Sequence, residues 1–318
     1  MAWRVVAIGG GTGLSVLLKG LKRSDVDVSA VVTVGDDGGS SGRLRRELGL
    51  LPPGDFRSCI AALADDEALM TQLLQYRFGD GALSGHALGN LLLAAMADLT
   101  GSFEQAVLET SRVLNIKGRI MPSTLEAVSV CAQVTDNGAQ GATSRTVRGE
   151  SQVGEAGPGI RRVFLEPGAP PAYPGAVKAI LAADLIVLGP GSLYTSVLPN
   201  LLVPGICQAV RASGALKVYV CNVAAQVGET EGYSVQKHAA AIEDNVGPGT
   251  FHYILANDNW PRQDRVAYVQ PSPNGDLSQA LLLTDLVDER APWRHDSAKL
   301  GRALLDFLEG TGGDSAIC

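Results

Sequence analysis

The sequence predicts an α/β protein built on a doubly wound, mostly parallel sheet, with an inserted helical cap and a small antiparallel β excursion, all within one domain of residues 1–318. Three observations carry this. Short apolar, β-branched runs recur, each stopping at glycine or polar turn residues, as strands buried on both faces do. Segments with helical spacing separate several of them, and strand–helix alternation is the pattern of a parallel sheet with crossover helices. The composition is globular: 318 residues, 46 % hydrophobic and 19 % charged, supply a large core, and the 38 glycines follow no G-X-Y period.

In chain order, the first strand is Arg4–Ile8, followed by a helix over Leu14–Leu21 and a second strand over Val28–Val34. From about 57 to 115 the apolar spacing is helical, notably at Leu88, Leu91, Leu92, Ala95, Met96 and Leu99. This stretch is the predicted cap, and its apolar face is either core or the seam of a homodimer. Between about 119 and 165 the period changes to two, with Val128, Val130, Ala132 and Val134 alternating with Ser129, Cys131 and Gln133, which predicts the antiparallel strands. Gly138–Ser151 reads as an exposed hairpin tip. The Pro/Gly-rich piece Glu166–Gly175 returns the chain to the sheet. Strands Leu185–Leu188, Lys217–Val220 and Phe251–Leu255 then alternate with helices Gly175–Ala183, Ile206–Ala212 and Ser234–Asn245. A terminal amphipathic helix spans 297–308, with a frayed tail.

A net charge of −7 argues against a broad nucleic-acid surface. The five cysteines, Cys59, Cys131, Cys207, Cys221 and Cys318, are scattered and form no C-x-x-C pair, so neither a disulfide framework nor a zinc site is expected. The N-terminus lacks the pattern of a secretory signal. The richest apolar run, Leu91–Ala97, is far short of the roughly 20 residues that span a bilayer. A cytoplasmic protein without membrane insertion is expected.

The strongest chemical signal is the first strand running into Gly9-Gly10-Gly11-Thr12-Gly13 and then a helix. Glycines let the backbone approach a ligand, and the free N–H groups at a helix start attract an anion, with phosphate the natural guest. The run is neither a Walker A loop nor a full G-x-G-x-x-G, since Leu14 stands where the third glycine belongs. The second strand runs out into a loop with Asp36, Asp37, Ser40, Ser41 and Arg43, whose paired carboxylates suit ribose hydroxyls or a magnesium ion bridging phosphates, or are ordinary turn residues. Ser84–Asn90 brings His86 and Asn90 to the start of the cap helix, as ligand contacts or as a helix cap with a satisfied histidine. A second glycine loop, Gly189-Pro190-Gly191-Ser192, repeats the phosphate-cradle logic. Beyond the next strand, Asn222 and Gln226 are candidates to read a base or sugar, while Glu229 and Thr230 are candidate caps of the helix carrying His238.

These blocks, GGGTG, VVTVGDDGGSSGRLRRELG, PPGDFRSCIAALA, SGHALGNLLLAAMADLTGSF, ADLIVLGPGSLYTSVLPNLLV and NVAAQVGET, closely resemble the gluconeogenesis factor family and, more distantly, 2-phospho-L-lactate transferase. The likeness runs from Arg4 to about Leu308. It implies a Rossmann-like sheet in a regulatory protein that binds a nucleotide sugar such as UDP-N-acetylglucosamine and supports gluconeogenic growth, cell shape and peptidoglycan synthesis. The more distant relative implies a magnesium-dependent transferase acting on a nucleotide-diphosphate-linked donor, with Asp36 and Asp37 holding the metal. The resemblance carries Gly10, Gly11, Thr12, Gly13, Gly189, Gly191 and Asn222 over as nucleotide-diphosphate contacts, and more loosely Tyr268 for stacking and Arg294 for the diphosphate. Ala224-Ala225-Gln226-Val227 departs from the relatives' usual Met-Thr-Gln-Pro. A third reading, a nicotinamide-dependent dehydrogenase, lacks the third fingerprint glycine. The regulated protein partner is not named by any feature of the chain.

Overall fold

The structure, a computed structural model, describes residues 2–64, 68–138, 141–157, 159–263, 265–273 and 275–314. The main sheet contains β1 (Trp3–Gly9), β2 (Val26–Val32), β3 (Arg119–Pro122), β7 (Leu185–Leu188), β8 (Leu216–Val220), β9 (Tyr253–Asn257) and β10 (Ala280–Thr284). A separate three-stranded antiparallel sheet holds β4 (Ser129–Gly138), β5 (Gly141–Arg148) and β6 (Ile160–Glu166), in the order β5-β4-β6. The main sheet runs β10-β9-β8-β7-β1-β2-β3, with every neighbouring pair parallel. This is a doubly wound order: the chain builds outward from β1 through β2 to β3, then returns to β7 and builds the other way. The reversal lies between β1 and β7, and there the strand ends open a crevice.

The helices are α1 (Gly11–Leu21), α2 (Gly39–Leu48), α3 (Gly54–Leu63), α4 (Ala68–Gln75), α5 (Leu88–Thr100), α6 (Phe103–Val113), α7 (Glu150–Gly154), α8 (Pro174–Leu181), α9 (Leu198–Leu201), α10 (Pro204–Ala212), α11 (Val235–Val246) and α12 (Ser297–Asp314). Val5, Val6, Ala7 and Ile8 of β1 are buried, so the central strand has apolar neighbours on both faces. α1 packs on α3 and α12. Gly20 and Gly301 make the crossing with α12 close: a Cβ at Gly301 would lie 2.9 Å from the Gly20 carbonyl carbon. Among the described residues no single helix is long and apolar enough to cross a membrane.

Several expectations are corrected. The first cap helix, α3, is not a peripheral element: Phe56, Cys59, Ile60, Ala62 and Leu63 are all buried, and the helix contacts α1, β2 and β3. A helix apolar on most of its circumference has to be covered on most sides. The strand at 119–122 is not part of the antiparallel excursion. It extends the main sheet as the parallel edge β3, a four-residue strand too short to show a period. Gly138–Ser151 is no hairpin tip, since Gly141–Arg148 pairs along β4 as β5 and Glu150 opens α7; residues 139 and 140 lie outside the described residues. β10, unanticipated, pairs with β9. Glu229 and Thr230 do not cap the helix carrying His238; Ser234 does, accepting from the Lys237 N–H. The terminal helix runs to Asp314, and the tail with Cys318 lies outside the described residues.

Candidate functional site

β1 ends at Gly9 and α1 begins at Gly11, with Gly10 as an N-cap that has no side-chain acceptor. The first N–H groups of a helix have no intrahelical partner. Here the Gly11 N–H lies close enough to the Asp55 carboxylate to favour its charged form, and Leu14 donates to the Gly10 carbonyl at 3.4 Å. Thr12 and Gly13, in the first turn where N–H groups have no intrahelical partner, line the crevice, and the helix dipole there favours an anion. Gly13 also lets the two glycine loops touch, because a Cβ would collide with the Pro190 carbonyl oxygen.

The second loop has different wiring. Gly191 is clamped by Asn222, whose Nδ2 donates to the Gly191 carbonyl (2.8 Å) and whose Oδ1 accepts from the Gly191 N–H (3.2 Å). The buried Glu229 carboxylate accepts from Ser192 Oγ (2.6 Å) and from the Tyr194 N–H (2.7 Å). Two of the donors expected to cradle a second phosphate, the Gly191 and Tyr194 N–H groups, are therefore engaged from inside, and the second loop lies against the first as a wall of the same crevice.

A cleft of about 450 Å³ opens over this floor, lined by Gly10, Gly11, Thr12, Gly13, Glu150, Pro190, Gly191, Ser192, Asn222, Gln226, Trp293, Arg294 and His295, among others. A branch of about 290 Å³ leads from Gly11 and Thr12 to Asp36, Ser40, Ser41, Asp55, Arg57 and Asn90. Another of about 390 Å³ follows α1 to Lys19, Arg57, Arg77 and Arg294. Most of the sequence candidates converge on this one site from six separate chain segments.

Five candidates do not line it. Asp37 is turned to α7, where its Oδ1 accepts from the Ser151 N–H (3.0 Å) and Oγ (2.7 Å). Arg43 donates to the Ser84 carbonyl at 2.7 Å. His86 is buried, with Nδ1 3.1 Å from Ser40 Oγ, and so positions a lining serine from behind. Gly189 donates to the Ile8 carbonyl beneath the loop. Tyr268 pairs its backbone with Ala224, the Ala225 N–H donates to the Ala267 carbonyl, and the half-buried ring packs against the core, so it braces the 224–226 strap beside the cleft.

Acids crowd the site. Burial and the neighbouring Asp36 charge push the Asp55 carboxyl up to about 7. Burial, then Asp36, Asp55 and Asp37, push Glu150 up to about 8. Burial and the Arg77 charge draw Arg57 down. Burial holds His295 at about 4, so its ring is neutral, with Nε2 3.1 Å from the Cys221 carbonyl. Two side-chain atoms of the first branch, Asn90 Oδ1 and Arg57 Nε, are buried without a hydrogen-bond partner. As for a metal, the predicted pair Asp36 and Asp37 is split, because Asp37 is engaged by Ser151. Among the described residues no group of three His, Cys, Asp or Glu is placed to hold an ion. Asp36 and Asp55 share the branch instead, and two carboxylates fit a magnesium ion whose remaining ligands are phosphate oxygens and water.

The site residues not anticipated are Asp55, Arg57, Arg77, Glu150, Trp293 and His295, and Glu229, expected as a helix cap, instead holds the second glycine loop. Asp55 and Arg57 had a signal: two opposite charges open the otherwise apolar α3, a place where a charge is retained for a partner. Glu150 and Glu229 had none, since each becomes buried only through contacts with distant loops.

The family model for 2-phospho-L-lactate transferase CofD matches residues 5–305. The gluconeogenesis factor of Bacillus subtilis is 45 % identical over 96 % of the chain and 98 % of its own length. The chain belongs to the CofD family, among the gluconeogenesis factors. The gluconeogenesis factor of Halalkalibacterium halodurans is 51 % identical over 80 % of the chain and 77 % of its own length. A crystal structure of a UPF0052-family protein from Bacillus halodurans superposes with a TM-score of 0.89 at 44 % identity, covering 96 % of this chain and 99 % of that one. That UPF0052-family protein thus shares the fold of this chain over nearly its whole length.

Proposed function

We propose that the protein is a cytoplasmic, nucleotide-sugar-binding regulator that takes a UDP-sugar such as UDP-N-acetylglucosamine across the cleft. The observation that carries this is the uncapped start of α1, whose Thr12 and Gly13 N–H groups form the cleft floor. The diphosphate sits there, the nucleoside lies toward Gln226 and Trp293, and sugar hydroxyls reach Ser41 and the unpaired Asn90 Oδ1. Binding rather than catalysis is supported by the engagement of the polar side chains: Asn222 holds Gly191, Ser192 holds Glu229, and His86 holds Ser40. In this reading the protein reports the supply of an activated sugar to a protein partner, in support of gluconeogenic growth, wall synthesis and cell shape. Calorimetry with UDP-N-acetylglucosamine tests it: one saturable site is expected, and no heat at millimolar ligand with folded protein rejects it.

A second reading is favoured by the shared placement of Asp36 and Asp55 and by the name of the matching family model. It is a transferase acting on a nucleotide-diphosphate-linked donor, with magnesium supplying charge neutralisation on the diphosphate. The chain's own residues would orient the donor through the α1 N–H groups and exclude water with the Gly191 loop. It predicts that Asp36→Asn and Asp55→Asn each abolish turnover; undiminished turnover in both rejects the metal role.

A further inference from the structure

We infer that the branch along α1 is an anion subsite for an acid group carried on the sugar end of the ligand, so that a nucleoside-diphosphate-linked sugar acid binds more tightly than the matching neutral sugar. The inference rests on the nucleotide-sugar reading above. Four cations, Lys19, Arg57, Arg77 and Arg294, line the branch with Ser15, Ser58 and Gln75, and none of its lining residues is acidic. This is unlike the rest of a chain of net charge −7. Arg57 Nη2 donates to Ser58 Oγ (3.1 Å) and Arg77 Nη1 to the Gly85 carbonyl (3.1 Å). Neither interaction neutralises charge, and although Asp55 and Asp36 in the adjoining branch partly offset the charge on Arg57, among the described residues none of the four cations is in an ion pair. Arg57 Nε is buried without a partner, and the two guanidinium groups repel one another. A bound anion removes that repulsion and supplies the missing acceptor.

Geometry separates this anion from the diphosphate. Thr12, Ser15, Val16 and Lys19 share one face of α1, and the seven helical steps from Thr12 to Lys19 span about 10 Å at about 1.5 Å each. A diphosphate seated on the Thr12 and Gly13 N–H groups does not extend so far. A carboxylate on the distal side of a hexose does. Arg57 and Arg77 line both branches, so the same two side chains that border the sugar site also receive its acid.

The test is calorimetry on the full chain with UDP-glucuronate, UDP-glucose and UTP. UDP-glucuronate is expected to bind about tenfold more tightly than UDP-glucose, the contribution of one charge-assisted pair. Arg77→Gln and Lys19→Gln, both at exposed positions, are expected to shrink that gap to under about threefold, whereas Lys178→Gln on the remote α8 preserves it. Thermal melts confirm that each variant folds. Equal affinity for the two sugars, a gap that survives in both variants, or tighter binding of UTP than of UDP-glucuronate overturns the sugar-acid assignment while leaving nucleotide binding standing. Failure of all three ligands to bind removes the nucleotide reading and this one together.

Discussion

Gly13 and Gly310 are both helical glycines, and the same substitution at each should have opposite signs. Alanine is a better helix former than glycine by about 1 kcal/mol, so Gly310→Ala, with no heavy atom within 4 Å of the new Cβ, should be neutral or stabilising by up to that amount. At Gly13 the new Cβ would lie 2.6 Å from the Pro190 carbonyl carbon and 2.8 Å from the Gly191 Cα, where ordinary contact begins at 3.4 Å. The obstructing atoms are backbone and the nearest is the Pro190 carbonyl oxygen, so the two loops must part by roughly 1 Å, and overpacking of this kind costs about 1–3 kcal/mol. Gly191 is pinned by Asn222, which resists the movement. The clash outweighs the propensity gain, giving a net loss of about 1–2 kcal/mol. The separation also tilts the cleft wall away from the Thr12 and Gly13 donors, so affinity for UDP-N-acetylglucosamine should fall at least about tenfold. Urea titrations give the first quantity and calorimetry the second. A Gly13→Ala protein as stable as the wild type, with undiminished affinity, would refute the claim that the two loops are in obligatory contact.

Glu229→Gln keeps an oxygen acceptor at the Oε1 position, where the Ser192 Oγ and the Tyr194 N–H both donate, but puts an amide donor at the Oε2 position 2.6 Å from Ser192 Oγ, and should cost about 1–2 kcal/mol in urea unfolding; a loss below about 0.5 kcal/mol would mean that Ser192 simply turns its hydroxyl to accept from the amide. Asp55 is held near 7 in the fold against 3.8 ordinarily, so the folded state retains a proton that the unfolded chain releases. Its contribution to stability is full below about pH 4 and declines as pH rises towards 7, with Glu150 extending the decline to about 8. Asp55→Asn should flatten the lower part of that profile in thermal melts against pH, and an unaltered profile would remove Asp55 as its source. Arg4→Gln breaks the exposed pair with Asp184 (2.7 Å), and should change stability by less than about 1 kcal/mol in the same urea assay, a larger loss marking the pair as more than a surface contact.

The β1–Gly9–Gly13–α1 unit was legible because everything that makes it is local: an apolar β-branched run, consecutive glycines, then helical spacing. The same holds for β7 and for the alternation in β4. The wiring of the second glycine loop was not legible. Its sequence repeats that of the first, yet Glu229, 37 residues beyond Ser192, fills the place where an anion would sit. Asp36 and Asp37, adjacent in sequence, end on different partners because Gly149–Ser151 crosses beside one of them. β3 could be read as part of the antiparallel excursion because four residues carry no period; only its pairing with β2 assigns it to the main sheet.

The sequence by itself determined the fold class, the family, and the cluster of glycine loops at the ends of strands, since short-range propensity and periodicity decide these. Tertiary structure alone decided which loop is open to an anion, which carboxylates face each other, and that four cations from chain segments as distant as Lys19 and Arg294 share one branch. The physical reason is that burial and charge proximity depend on distances in space between chain segments, and these arise only once the sheet has brought its loops together.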